Sequence, residues 1–321
     1  MQPQPLTSPE HRQPSTDNRS PHDLFFEWRS LARRGDLAAA WDVSDRALEL
    51  ARNGVTDAFP RHFRGVWTGT PVENKRVLVR CYHGLGDTIQ FARLIPRLCE
   101  AASEVTVLAQ PQLVRLLSNV CEGTQLHGAD VEHQAKHDVE IEIMELGHVF
   151  RITLDDIPRD VPYLQTEAVP IEDNGALKVG LVWQAGDWDD RRSVPFASLL
   201  EWTSVPGMEF YSLQQDPWRA GWRPPSVKLL DASTVDKTAS LMRGLDLVIT
   251  VDTMTAHLAG ALGVPVWTLL QRDADWRWME DRSDSPWYPT MRLFRQRDQD
   301  DWTSVIRSVA DTLERSASSR L

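Results

Sequence analysis

LDLVITVDTMTAHLAGALGV, residues 245–264, is the stretch on which the reading of the fold depends. Leu247 to Val251 is a short apolar run rich in β-branched residues, and it stops at Asp252. An Ala/Leu-rich stretch with helical periodicity follows at once and closes at Gly263, so the pattern is strand, tight turn, helix. Such a junction turns the first amides of the helix, here Thr253, Met254 and Thr255, and the positive end of its dipole toward whatever lies beyond the strand. The natural guest is an anion such as a phosphate. Asp252 at the strand tip can cap the helix or accept a ribose hydroxyl, and His257, one turn in, faces the same mouth. The plainer alternatives are a simple N-cap for Asp252 and a packed core histidine for His257.

The same alternation of strand and helix runs through most of the chain. LKVGLVW (177–183), Met208 to Leu213, Leu245 to Val251 and Val264 to Leu270 read as strands of one unit. Trp302 to Leu313 reads as its last helix, one that could cross back to the preceding unit. That unit opens with the strand RVLVRCY (76–82), the turn HGLGD and a helix from Thr88 to Ala102. VTVLA (105–109) and HDVEIEIMEL (137–146) read as further strands. Polar, turn-forming residues from Gln165 to Ala176 part the two. The fold class is therefore α/β, with two Rossmann-like parallel-sheet domains over 75–168 and 176–316. A cleft lined by the carboxyl ends of both sheets is implied.

Ahead of these domains, residues 1–22 are polar and proline-rich, and a disordered tail is expected. Residues 23–74 form a helical pair and a connector. Phe25, Trp28 and Leu31 mark one helix, and Leu37, Ala40, Trp41, Ala47 and Leu48 the other, with Gly35-Asp36 between them. GDLAAAWDVSDRALEL (35–50) resembles the second helix of a tetratricopeptide repeat. One such repeat cannot bury its own face, so the pair should pack on the first α/β domain or on a second copy of the chain. The connector carries a basic group, Arg61, His62 and Arg64.

Composition narrows the function classes. At 321 residues and 41% hydrophobic content the chain can build two ordinary domains. A net charge of -11 opposes the basic face that a nucleic-acid partner needs. The cysteines, Cys81, Cys99 and Cys121, are odd in number and lack CxxC spacing, so neither a disulfide framework nor a zinc site is indicated. No stretch approaches the roughly 20 apolar residues of a membrane span, and no apolar signal core stands near the N-terminus. A cytoplasmic protein without a transmembrane segment is expected, peripheral membrane contact being left open.

Three turns should face the cleft. In Gly84-Leu85-Gly86-Asp87 the glycines permit a tight turn and close approach to a ligand. Ile89 stands where a dinucleotide fingerprint has its third glycine, and no acidic residue ends the second strand, which disfavours a nicotinamide-dependent dehydrogenase. Asp87 with Gln90 also fits a helix-capping box. In QAGDWDDRR (184–192), Arg191 and Arg192 sit among carboxylates; an ordinary salt-bridged loop is one reading, an arginine clamp on a diphosphate the other. The third turn is Asp252 to His257. Ten of the 13 tryptophans fall at Trp183 or later, including Trp218, Trp222, Trp276, Trp278 and Trp287. Packing beneath long loops explains such rings as readily as stacking on a base or sugar.

VGLVWQAGDWDDRRSVPFASLLE (179–201), the SLQ of 212–214, DLVITVDTMTAHLAGALGVPVWTLL (246–270), SPWYPTMRLFRQ (285–296) and HGLGDTIQFARLIPRL (83–98) together resemble glycosyltransferase family 9. These are the ADP-heptose:lipopolysaccharide heptosyltransferase-like proteins, and the likeness is to their bacterial branch with tetratricopeptide-like helices. The resemblance implies a GT-B fold, with a nucleotide-sugar donor, such as ADP-heptose, in the second domain. The acceptor, a glycan, a lipid-linked sugar or a protein, would lie in the first. It also implies an inverting transfer without metal or other cofactor. Residue by residue, Asp87 matches the family's proposed base, Arg192 a basic residue facing the donor phosphates, and Asp252, Thr253, Met254 and His257 the donor-binding turn. Met254 stands where glycine or alanine is usual. Cys81-Tyr82-His83 replaces the acidic/Gln pair ahead of Gly-x-Gly-Asp, and the repeat array is reduced to one helical pair.

The chemistry suits those residue types. Attack of an acceptor hydroxyl on an anomeric carbon needs a carboxylate to take the proton and positive groups to hold the departing diphosphate. Asp87 would supply the first, and Arg192 with the amides of Thr253 to Thr255 the second, once the domains close over the substrates. His83 is the competing base. The alternatives are a non-catalytic nucleotide-sugar-binding or scaffold protein on the same fold, and a nucleotide-sugar epimerase.

Overall fold

The computed structural model describes residues 20–52, 67–132, 136–186, 189–223 and 227–318. The expected tail up to residue 19 and the basic group Arg61, His62 and Arg64 lie outside the described residues. Strands β1 (Arg76–Arg80), β2 (Glu104–Ala109), β3 (Gln125–Gly128) and β4 (Val139–Glu142) form a sheet in the order β3-β2-β1-β4. Strands β5 (Leu177–Val182), β6 (Met208–Ser212), β7 (Lys228–Leu229), β8 (Leu247–Val251), β9 (Val266–Leu270) and β10 (Met291–Arg295) form a second, ordered β10-β9-β8-β5-β6-β7. All strand pairs are parallel. Central strands in such sheets read as unbroken apolar runs because helices cover both faces, and Val77 to Val79 and Val248 to Val251 are buried accordingly.

The helices, in chain order, are α1 (Pro21–Arg33), α2 (Leu37–Arg52), α3 (Leu85–Ala92), α4 (Ile95–Ala101), α5 (Val114–Leu117), α6 (Leu146–Val149), α7 (Phe196–Leu199), α8 (Val235–Met242), α9 (Met254–Ala261) and α10 (Trp302–Ser318). The single helix expected over Thr88 to Ala102 is two, α3 and α4. Pro96, in the first turn of α4, has no N–H to offer the Ala92 carbonyl and breaks the run there. The strand expected over His137 to Leu146 stops at Glu142, whose side chain accepts from the Met144 amide at 2.7 Å and turns the chain into a short helical segment.

Each sheet reverses its direction of growth once. In the first, the chain runs β1 to β3 on one side and returns to place β4 on the other; in the second, β5 to β7 precede a return to β8. The reversal points lie beside β1 and between β5 and β8, where open α/β sheets leave a crevice at their carboxyl ends. The three turns singled out in the sequence follow β1, β5 and β8.

Helix α3 of the first sheet packs directly on α9 of the second. Gly86 permits the approach, since a Cβ there would lie 2.7 Å from His257 Cδ2 and 3.4 Å from Met254 Cα. Buried residues of the first sheet, α1, α2, α8 and α9 make one contiguous apolar cluster. The two halves therefore already touch, and no closure is needed to bring their turns together. Helix α10 does not cross back. Its Val305, Ile306, Val309 and Leu313 face Trp202 and Phe294 on the far side of the second sheet, which exhausts its apolar stripe.

Residues 20–22, placed in the tail by the sequence reading, start helix α1, with Ser20 as its N-cap. Pro21 suits the first helical position, and Ser20 and Asp23 cap each other's backbone amides. Gly35, at φ +83°, makes the turn into α2 in the left-handed region open to glycine. The pair packs on both halves of the molecule, not on the first alone. Trp41 Nε1 donates to the Ile152 carbonyl at 2.7 Å and Asp45 meets His148 at 2.8 Å, while Trp28 stands edge-on to Trp276 at 5.2 Å.

Candidate active site

A cleft of about 570 Å³ opens at the carboxyl ends of both sheets. Gly84, Gly86 and Asp87 line it from the first half, and Arg192, Asp252, Thr253, Met254, Thr255 and His257 from the second. His83, the competing base, is not among its lining residues.

Asp87 reaches the cleft because α3 begins earlier than expected, at Leu85, which places it in the first helical turn. One carboxylate oxygen, Oδ2, accepts from the Gly84 amide at 2.9 Å, as a capping box requires. The other, Oδ1, accepts from Arg277 Nη2 at 2.7 Å across the interface. Asp87 is thus both a helix cap and a cleft-facing acid.

The β8–α9 turn departs from expectation in one respect. Thr253, not Asp252, is the N-cap, and its hydroxyl accepts from the Thr255 amide at 3.2 Å. The Thr255 amide is therefore already engaged, which leaves Thr253 and Met254 as the residues that could offer amides to an anion. Asp252 uses its backbone carbonyl to accept from Arg192 Nη1 at 2.8 Å, so the guanidinium is anchored at the strand tip. The Asp252 carboxyl is buried, and burial with repulsion from Asp275 pushes its pKa up to about 6 against the pull of Arg277 and Arg192. Arg191 turns the other way, onto Asp189 at 2.8 Å, as the ordinary loop reading had it.

His257 is 2% exposed, stacked on Trp278 with ring centroids 5.0 Å apart, and its Nδ1 lies 3.0 Å from the Tyr288 hydroxyl. Burial, reinforced by the charges of Arg277 and Arg93, holds its pKa well below the usual histidine range. The ring is neutral at physiological pH, so it serves as a hydrogen-bonding wall and not as a cation.

Sequence reasoning missed Arg277, Arg219 and Asp216, and named Gln214 only within the SLQ motif, without a role. Arg277 comes from the loop after β9, and Arg219 and Asp216 from the loop after β6; all three line the cleft. Gln214 Oε1 accepts from the amides of Trp183 and Gln184 at 3.1 and 2.9 Å, which braces the turn after β5. The only signal for Arg277 was its place between Trp276 and Trp278. Among the described residues no cluster of three or more His, Cys, Asp or Glu side chains could hold a metal ion.

No family model matches the sequence. The chain is 25% identical over 346 positions to protein FlbA of Caulobacter vibrioides, an alignment covering 94% of this chain and 57% of FlbA. The chain thus spans little more than half the length of that curated relative. Among solved structures, a glycosyl transferase family 9 protein of Veillonella parvula superposes with a TM-score of 0.51 at 13% identity, over 77% of this chain and 99% of that one. The fold is that of family 9. The ADP-heptose lipopolysaccharide heptosyltransferase II of Escherichia coli gives a TM-score of 0.49 at 14% identity, over 75% of this chain and 99% of its own. With the Veillonella protein as the match, the resemblance to family 9 found in the motifs extends to a GT-B fold: two parallel sheets, each opening its carboxyl end on a shared cleft. No helix among the described residues is long and apolar enough to cross a membrane.

Proposed function

We propose that the protein is a metal-independent, inverting glycosyltransferase of cytoplasmic location that uses a nucleotide-sugar donor. The observation that carries this reading is the convergence on one cleft of Asp87 from the first sheet with Arg192 and the Thr253-Met254 turn from the second. The acceptor hydroxyl attacks the anomeric carbon as the bond to the diphosphate oxygen breaks. The hydroxyl proton passes to Asp87, and the charge left on the diphosphate is met by Arg192 and the helix amides. Residues 246–270 and 285–296, with their likeness to family 9, make ADP-heptose the first donor to try. The acceptor would be a glycan, a lipid-linked sugar or a protein presented to the first half of the cleft.

The test is a thermal-shift screen of nucleotide sugars on the full chain, followed by a transfer assay with and without EDTA. Stabilisation by one donor class and EDTA-resistant transfer support the reading; absence of stabilisation by every nucleotide sugar sinks it. Arg192→Ala should weaken nucleoside-diphosphate binding by about 1.5 to 3 kcal/mol through loss of a charge-assisted contact.

One observation favours a second reading, a non-catalytic nucleotide-sugar-binding protein: the base is already occupied, with Arg277 on Oδ1 and the Gly84 amide on Oδ2. Donor binding with neither transfer to any acceptor nor hydrolysis by water would establish it.

A further inference from the structure

Arg277 reaches Asp87 from a strap, residues 273–280, that leaves β9 and runs over the interface between the two halves. Helix α1 grips the strap at both ends with one residue. The Arg33 guanidinium pairs with Asp273 at the near end, and with Glu280 Oε1 at 2.9 Å at the far end. The Arg33 carbonyl also accepts from the Glu280 amide at 2.9 Å, and Arg29 adds a second bond to Asp273 at 2.9 Å. Between those ends Trp28 stands edge-on to Trp276. Trp276 in turn lies against Phe91 of α3 and Trp287, with centroids 6.4 and 6.0 Å away.

The strap is held from below as well, where Arg295 donates to the Trp278 and Met279 carbonyls and Trp287 Nε1 to the Arg277 carbonyl. Its backbone does not keep this path unaided. Met279 has φ +53° and Asp281 φ +50°, left-handed conformations that side chains with a Cβ adopt at a cost and that persist where the surroundings enforce them. The two residues on the strap that touch the cleft wall, Arg277 on Asp87 and Trp278 on His257, flank one peptide bond. A displacement of the strap therefore removes both contacts at once.

We propose that α1 is a working part of the candidate active site, with Arg33 as the positioning residue that holds the strap and hence Arg277 against Asp87. In this arrangement the capacity of the cleft for a nucleoside diphosphate is set by whether α1 is seated, an inference that rests on the donor reading given above. The consequence is that the N-terminal pair acts on the cleft through one side chain 190 residues from the acid that side chain meets.

The test uses the full chain with Arg33→Gln, Arg33→Lys, Arg277→Gln and the double variant Arg33→Gln/Arg277→Gln. Amide hydrogen exchange over residues 273–282 and 84–92, and calorimetric titration with ADP, are the two readouts. In Arg33→Gln, exchange should rise about 10-fold or more in both segments while β5 and β8 stay protected, and ADP binding should weaken by about 10-fold. Arg33→Lys, which can pair with one of the two carboxylates, should recover part of both. On the Arg277→Gln background, Arg33→Gln should weaken ADP binding by less than it does alone, because one of the two contacts it releases is already gone. Additive weakening in the double variant, or unchanged exchange over 84–92 in Arg33→Gln, overturns the proposal. If Arg33→Gln does not fold, Asp273→Asn loosens the same end of the strap and is read in the same way. Failure of the unmodified chain to bind ADP would remove adenosine diphosphate sugars as its donors, and the exchange comparison would still decide the role of α1.

Discussion

Asp87 and Arg277, contributed by opposite halves of the molecule, form a 2.7 Å ion pair whose side chains are 18% and 11% exposed. The pair makes Asp87→Asn a different experiment from what its capping role alone would suggest. An asparagine can still accept from the Gly84 amide, but it leaves the buried guanidinium without this counter-charge. We expect turnover with a verified donor and acceptor to fall roughly 100-fold or more. Urea unfolding should show a stability loss of about 1 to 3 kcal/mol. Retained turnover would show that another group takes the proton.

The Asp252 carboxyl supplies a pH signature. Its folded pKa, about 6, lies above the ordinary 3.8 because of burial and the neighbouring Asp275. Between those values the folded chain holds a proton that the unfolded chain has released, so this group's contribution to stability declines as pH rises and is constant above pH 6. A shift of about two units corresponds to roughly 3 kcal/mol. Asp252→Asn should therefore gain on the parent protein by up to that amount between pH 4 and 7. Parallel pH profiles for the two proteins in chemical denaturation would refute the assignment.

His148, 1% exposed in its side chain, acts in the same sense but at higher pH. Burial alone would lower its pKa, but Asp45 of α2 and Glu145 outweigh it and raise the value above 6.5. The stabilisation from this cluster is complete below pH 6.5 and is lost as pH rises through the raised value. Since Asp45 belongs to the helical pair, exchange protection of α2 should decline across that upper range. His148→Gln should make it insensitive to pH.

Gly86→Ala tests the contact between the halves. The new methyl would meet His257 Cδ2 at 2.7 Å, and the far side is backbone, Met254 Cα, at 3.4 Å. His257 is pinned between Trp278 and Tyr288, so it has little room to yield. We expect a loss of about 1 to 3 kcal/mol, typical of overpacking, together with weakened nucleoside-diphosphate binding. A variant with unaltered melting temperature and binding would mean that α3 and α9 are further apart in solution.

The β8–α9 junction was readable from the chain because its strand, turn and helix are adjacent and each has its own local signature. The same holds for the turns after β1 and β5. Arg277 was not readable, since it lies in an aperiodic loop and its partner is 190 residues away. The Thr255 amide was misjudged for a local reason: a threonine and an aspartate both precede the helix, and either could cap it. The half on which helix α10 packs was not readable, because its apolar stripe shows that it packs, not on what. The break at Pro96 follows from proline's missing N–H, and the helical periodicity on either side concealed it.

The seat of helix α1 also constrains the order in which the molecule can be completed during synthesis. Arg29 finds Asp273 across 244 residues of chain. At ribosomal rates of about 5 to 20 residues per second, roughly 12 to 50 s pass between the emergence of one partner and the other. Helix α2 can find Ile152 and His148 well before that. Helix α1 cannot, and its Trp28 stays without the cover of Trp276 until the strap arrives. Helix α1 is thus made well before it is locked in place, and that interval is when a chaperone, or another copy of the chain, would have access to it.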